Sequence, residues 1–403
     1  MQIRSATCFV NAGIPSTWPR TICKAGRVAH ETRTRLESAG IPVQTTRLAI
    51  QPLSPARGDP LAFAKQIWDQ CEESGFEYLS LGPIEADSPD ADLSLLERLA
   101  DLICGTEVVF SSVLVARHGR GLNLEAIKRT AAAILEIAHG TDLGFGNLRL
   151  AMLANVEPHA PFFPAAYHDG GAPALALAVE GASLAVESFS GGGSLEQVRM
   201  RLAAAIKEAA GHMTALVQPL AVESGYRFVG FDFTLAPFPD DLRSIGAAIE
   251  QLGVERFGAP GTLFAASFLT SCLRSALPSY PSCGFNGLML PVLEDSRLAE
   301  RSHEKVYSVN DLLLYSAVCG TGLDTVPLPG DVSEKELSGI LLDVATLALR
   351  LNKPLTARLM PIPGARAGDT TQFDFPYFAN SRVLDVKGHG SQRLFDRGGY
   401  TVI

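Results

Sequence analysis

Leu323-Asp324-Thr325-Val326-Pro327-Leu328, then Ser333 through Leu351, then Thr356 through Ile362, form the series in which the fold of this chain is most legible. The two outer runs are short, apolar and rich in β-branched residues, the pattern of buried strands. The stretch between them has helical spacing. Ser333 stands at its N-cap, Glu334 and Glu336 place negative charge in its first turn, and Arg350 and Lys353 precede Pro354 at its end. A strand that returns through a helix of this length points to a parallel pair with a crossover helix.

The same alternation runs the length of the chain. Ten strand candidates emerge: Ile3–Val10, Pro42–Ile50, Tyr78–Gly82, Glu107–Val115, Leu148–Val156, Leu175–Val186, Arg227–Leu235, Gly287–Leu293, Leu323–Leu328 and Thr356–Ile362. Amphipathic stretches separate most of them, among them Thr21–Ser38, Leu124–Ala138 and the longest, Leu195–Glu223. The class is α/β, and ten units exceed an eight-stranded barrel, so either a larger barrel or two α/β lobes is required. Gly191-Gly192-Gly193 is the best internal boundary, although it is shorter and less polar than a linker. In either architecture the loops at the C-terminal ends of the strands are expected to form one working face.

The 403 residues are 47% hydrophobic and 19% charged, with a net charge of -9, enough apolar material to exclude a disordered chain. Eight scattered lysines give no basic stripe, so nucleic acid is not an expected partner. The seven cysteines are odd in number and never spaced C-x-x-C, which argues against a disulfide framework and a structural zinc site. The N-terminus reads as a first strand rather than a signal peptide, and no apolar stretch reaches bilayer length, so a cytoplasmic protein without membrane contact is expected. Alanine-rich helix faces such as Ala131-Ala132-Ala133 permit a homo-oligomer without requiring one.

Residues suited to chemistry cluster after the strands. Asn155 through His168 is a loop stiffened by three prolines, with Phe162 and Phe163 as an apolar floor and Tyr167 and His168 as proton-transfer groups. An Ω-loop whose aromatics simply plug one end of the fold is the alternative. Asp232, between Phe231 and Phe233, needs a partner or a metal if it points inward. Glu294-Asp295 suits acid/base work or a hard cation, with Asp295 favoured as a helix cap. Cys319, followed by Gly320 and Gly322, has room to meet a substrate closely, or is a small buried hydrophobe. Gly258 through Thr262 and Pro363 through Asp369 are anion-binding candidates in which Arg366 supplies charge, and tight turns explain their glycines equally well.

Taken together, Gly144–Arg149, Asn155–His168, Gly230–Pro239, Gly258–Thr262, Leu290–Asp295, Cys319–Asp331 and Pro361–Asp369 resemble an uncharacterised family described as pyruvate-formate-lyase-like, a domain of unknown function. The resemblance implies one ten-stranded α/β barrel over residues 1–403, related to the glycyl-radical enzymes; past Asp369 it thins, and residues 370–403 are expected to form a C-terminal lid of a different kind. It does not imply radical chemistry. Arg397-Gly398-Gly399-Tyr400 is one residue short of a glycyl-radical loop and stands at a chain end expected to fray, so no glycyl radical is expected.

The expected activity is therefore that of a non-radical enzyme, of a lyase or hydrolase kind, acting on a small polar or anionic metabolite. Cys319 would serve as nucleophile or acid/base group, His168 as its proton partner and Glu294 as a further catalytic carboxylate. Asn155, Phe163, Tyr167 and Arg366 would hold the substrate, and Asp232 and Asp324 would take a divalent cation if one is used. The alternative is a metabolite-binding regulatory protein without turnover.

Overall fold

The computed structural model describes residues 1–13, 15–388 and 390–403. Its strands are β1 (Gln2–Phe9), β2 (Val43–Ala49), β3 (Tyr78–Glu85), β4 (Val109–Arg117), β5 (Gly121–Asn123), β6 (Leu150–Ala154), β7 (Ala174–Glu180), β8 (Arg227–Asp232), β9 (Gly322–Pro329), β10 (Leu355–Ile362) and β11 (Tyr400–Thr401). All belong to one sheet, in the order β8-β7-β1-β2-β3-β4-β6-β10-β9, with β5 and β11 attached beside β4.

The sheet has two directions. β1, β2, β3, β4 and β6 are mutually parallel. β7 and β8 form a parallel pair, as do β9 and β10, and each pair joins the central five antiparallel, through β1–β7 and β6–β10. Between β8 and β9 in sequence, residues 282–291 make single parallel bridges to both edge strands: Ser282 with Phe231, Leu288 with Leu235 and Pro291 with Asp324. The expectation of a single face at the C-terminal ends of the strands is corrected here, because strands of opposite direction present opposite ends to the same side.

Helices pack against the sheet. Glu334–Leu351, opened by a reciprocal Ser333–Glu336 capping box, packs against Leu124–Gly140. Leu337, Leu341, Val344, Ala345 and Ala348 recur every three or four residues and are buried. Each such leucine contributes roughly 1.5–3 kcal/mol by leaving water. No helix among the described residues is long and apolar enough to cross a membrane.

Three expectations change. Leu175–Val186 is a strand only to Glu180; after Gly181 the chain turns into a helix, Ala182–Ser190, because its alanines and leucines suit either state once the glycine breaks the ladder. Gly287–Leu293 is not a continuous strand, because Pro291 has no N–H to donate and Gly287 is pressed against Gly320, where a Cβ would lie 2.3 Å from the Gly320 Cα. The C-terminus is not frayed: Tyr400 pairs with Asn123, and the Gly399 carbonyl accepts from Leu124 N at 2.7 Å.

Candidate active site

Arginines occupy the middle of three strands, where an apolar face is expected, and each needs a counter-charge or a ligand. Arg4 on β1 donates through Nε to Glu180 at 3.1 Å and through Nη1 to Glu294 at 3.1 Å, and its remaining nitrogen reaches the Pro237 carbonyl at 2.7 Å. Arg358 on β10 donates to Glu294 Oε1 at 2.8 Å and through Nε to Asp324 Oδ1 at 2.6 Å. The result is an alternating chain, Glu180–Arg4–Glu294–Arg358–Asp324, almost entirely removed from water.

Arg47 on β2 is different. It is 8% exposed, yet no carboxylate among the described residues pairs with it; its Nε donates to Thr45 Oγ1 at 2.8 Å, and its guanidinium lies over the rings of Tyr78 and Phe163 at 5.4 and 5.1 Å. Burial, with Arg4 nearby, lowers its pKa to about 10. Thr45 and Arg47 are two apart and so share one face of β2, as Thr356 and Arg358 do on β10.

These side chains line a cavity of about 90 Å³. Arg4, Arg47, Tyr78, Phe110, Ala151, Asp324 and Arg358 reach it from seven different strands, while Phe162, Phe163, Phe285 and Met289 give it an apolar side and Phe375 and Tyr377 close part of it. Burial raises the Asp324 pKa, and the neighbouring Glu294 charge adds to the rise against the pull of Arg358. Burial also pushes Glu294 upward, but Arg358 and Arg4 outweigh it and leave that carboxyl below its ordinary range. Two adjacent carboxyls are thereby driven apart in proton affinity, the arrangement that separates an acid from a base. Asp324 Oδ2 has no hydrogen-bond partner among the described residues, and neither does the buried Thr321 Oγ1, whose side chain also lines the cavity.

The cavity unites four of the residues singled out from sequence, Phe162, Phe163, Glu294 and Asp324, and omits the other candidate catalytic and ligand residues. Cys319 has no exposed surface; its thiol accepts from Gly322 N at 3.4 Å, and its carbonyl receives the Lys353 ammonium. The glycines beside it serve backbone contact rather than substrate, Gly320 against Gly287 and Gly322, at φ 100°, against the Thr356 carbonyl. His168 is buried elsewhere, its Nε2 donating to the Ala172 carbonyl at 3.1 Å and its Nδ1 accepting from Gly170 N at 3.2 Å. The expected Cys319–His168 pairing is therefore corrected, since each group is satisfied by its own neighbourhood.

Other assignments shift for similar reasons. Asn155, at φ 56°, accepts from His118 N at 2.6 Å and donates to the Ala348 carbonyl at 2.7 Å, which makes it a backbone clamp. The Tyr167 hydroxyl donates to the Val156 carbonyl at 2.8 Å, and burial pushes its phenol well above the usual range. Asp232 accepts from Thr234 N and Oγ1, Phe285 N and Asn286 N between 2.6 and 3.0 Å, so donors fill the positions a cation would take. Asp324 has a guanidinium, not an open coordination position, on Oδ1. Arg366 is exposed and outside the cavity, and Gly258–Thr262 is a closed turn in which Gly258 N donates to Thr262 Oγ1 at 3.0 Å. Asp295 caps two helices, accepting from Leu298 N at 3.0 Å and Ile245 N at 2.6 Å.

His159, His168 and Asp169 bring possible metal-binding atoms within 4.8 Å of one another. Both His168 nitrogens are already committed, so the trio does not offer three free ligands. Sequence reasoning passed over Arg4, Arg47 and Arg358. The signal that finds them is a guanidinium set inside an apolar strand, as in Thr45-Thr46-Arg47-Leu48-Ala49-Ile50.

A family model described as Uncharacterised ACR (DUF711) matches residues 1–380. Similar proteins include a UPF0210 protein of Pyrobaculum arsenaticum, 32% identical over 360 residues that cover 86% of this chain and 78% of the relative. A UPF0210 protein of Pyrobaculum aerophilum is 30% identical over 384 residues, 89% of this chain and 82% of the relative. One of Methanopyrus kandleri is 30% identical over 388 residues, 90% and 84% of the two chains.

Proposed function

We propose, for a chain that belongs to the DUF711 family, that the arginine-lined cavity is the active site of a non-radical enzyme moving a proton on a small anionic metabolite. Arg47 grips the anion and Asp324 carries the proton, with Glu294 and Arg358 setting its affinity. The observation that carries this reading is Arg47 itself. Arg4 and Arg358 are neutralised by carboxylates, whereas Arg47 is as buried as Arg358 and no carboxylate among the described residues pairs with it. Holding a desolvated cation unpaired costs several kcal/mol, a cost that an anionic ligand offsets.

The same reading takes the sheet as a closed barrel of ten, with residues 282–291 as the tenth member between β8 and β9. Five parallel elements would then face five of the opposite direction. The single bridges on both sides of that segment support it, and so does a cavity lined from seven strands.

The test is hydrogen exchange in deuterated water. Small anions that stabilise the protein are incubated with it and followed by proton NMR for loss of carbon-bound signals. Asp324→Asn is expected to bind them and abolish exchange, and Arg47→Met to lose both. Binding without any exchange in the wild type would favour the regulatory alternative, and no binding at all would remove the reading.

A further inference from the structure

The cavity's polar groups divide into those that are spent and those that are free. Arg4, Arg358 and Glu294 spend themselves on one another. Against them stand Arg47, with one donor on Thr45, and the hydroxyls of Tyr78 and Tyr377, neither of which has a hydrogen-bond partner among the described residues. The Gln44 amide, which also lines the cavity, is likewise without one. Arg47 lies over the Tyr78 ring, and Tyr377 is close enough to Tyr78 for their phenols to influence each other. These free donors therefore gather at one end.

Resting on the reading above, we infer that the ligand is a short-chain monocarboxylate: its carboxylate is held by Arg47, Tyr78 and Tyr377 and its hydrocarbon part lies against Phe110, Phe162 and Met289. Three observations select this class. Arg47, the one cavity arginine without a carboxylate among the described residues, balances a single negative charge, while a dianionic phosphate or a dicarboxylate would bring a second charge toward Glu294 and Asp324. A planar guanidinium fork matches a carboxylate in a bidentate manner, and phenol hydroxyls extend that grip. The volume of about 90 Å³, at about 10–15 Å³ for each water-sized occupant, admits roughly six to nine non-hydrogen atoms. That is an acid of about three to six carbons with a polar substituent, for which the unpartnered Thr321 hydroxyl provides a partner.

The experiment is calorimetric titration of the full chain with propanoate, butanoate, 2-hydroxybutanoate and 2-oxobutanoate, set against inorganic phosphate, succinate and the methyl ester of butanoate. The monocarboxylates are expected to bind and the ester is not. Tyr78→Phe and Tyr377→Phe each remove one hydroxyl from a half-buried ring and leave the fold intact, and each is expected to weaken carboxylate binding about tenfold. Tighter binding of phosphate or succinate overturns the inference and leaves the Arg47 reading standing. Wild-type affinity retained in both phenylalanine variants overturns the placement of the carboxylate. Failure of every anion overturns both.

Discussion

Replacing Arg358 by methionine isolates the largest electrostatic commitment of the molecule. The substitution keeps much of the side-chain volume but, among the described residues, strips Asp324 of its ion-pair partner and leaves Glu294 with Arg4. Removing one member of a buried pair costs about 3–5 kcal/mol. The lower part of that range is expected, because Asp324, already raised in proton affinity, escapes by taking up a proton. For 403 residues unfolding as one cooperative unit, with about 2.1 cal/mol/K of unfolding entropy per residue, a loss of about 3.5 kcal/mol lowers Tm by about 4 °C. Glu294 is held below its ordinary range, so it contributes stability that is full above that range and lost as pH falls through it. The deficit of the Arg358→Met variant is therefore large at pH 7 and shrinks only below the ordinary carboxyl range, as pH falls through the lowered range of folded Glu294. Urea unfolding followed by circular dichroism across that range measures it. An unchanged midpoint at pH 7 would refute the ion chain as described. Asp324→Asn in the same chain is expected to restore part of the loss, since it removes the stranded carboxylate.

Three further outcomes are expected. Burial lowers the His159 pKa to about 4 despite the nearby Asp169, so the unfolded chain binds a proton below pH 6.5 that the folded one refuses; stability should fall by about 3 kcal/mol between pH 6.5 and 4. His159→Asn, tolerated at φ 70°, should flatten that slope, and a His159 ring resonance titrating near 6.5 would contradict it. Asn155→Ala should destabilise by about 2–4 kcal/mol, from two unmade backbone hydrogen bonds and a strained left-handed residue, with anion affinity in calorimetry unchanged. Maleimide labelling of the native protein, mapped by peptide mass spectrometry, should modify the exposed Cys23 and Cys104 and spare Cys319 until denaturant is added.

The alternation of strands and helices was legible because each element carries its own period and caps. Leu195–Glu223 is one helix with the bounds its amphipathic spacing indicates, and Ser333 opens its helix as read. Direction was not legible: a helix after a strand suits a parallel return, but which strand it returns beside is decided by contacts as distant as Gln2 with Glu180. For the site, residue chemistry misled in a consistent way. Cysteine, histidine and asparagine were weighed for what they do in active sites, while their hydrogen bonds here go to nearby backbone, as in His168 and Asn155. Glu294 was legible as one of a carboxylate pair and Asp324 as a candidate cation ligand, and the demand for a partner that was placed on Asp232 would, applied to Arg4, Arg47 and Arg358, have found the remainder.

The two antiparallel seams of the sheet have a consequence for synthesis. Once β6 has left the ribosome, the five central strands are complete, but β1 still waits for β7 and β6 waits for β10, which lies some two hundred residues further on. For most of translation the nascent chain therefore carries an open strand edge with unpaired backbone groups, a ready template for pairing with a neighbour. The late helix Glu334–Leu351 and strand β10 act as a fastener applied last. Chains halted before residue 355 are the forms most in need of a chaperone, and a cell that makes this protein quickly will meet them often.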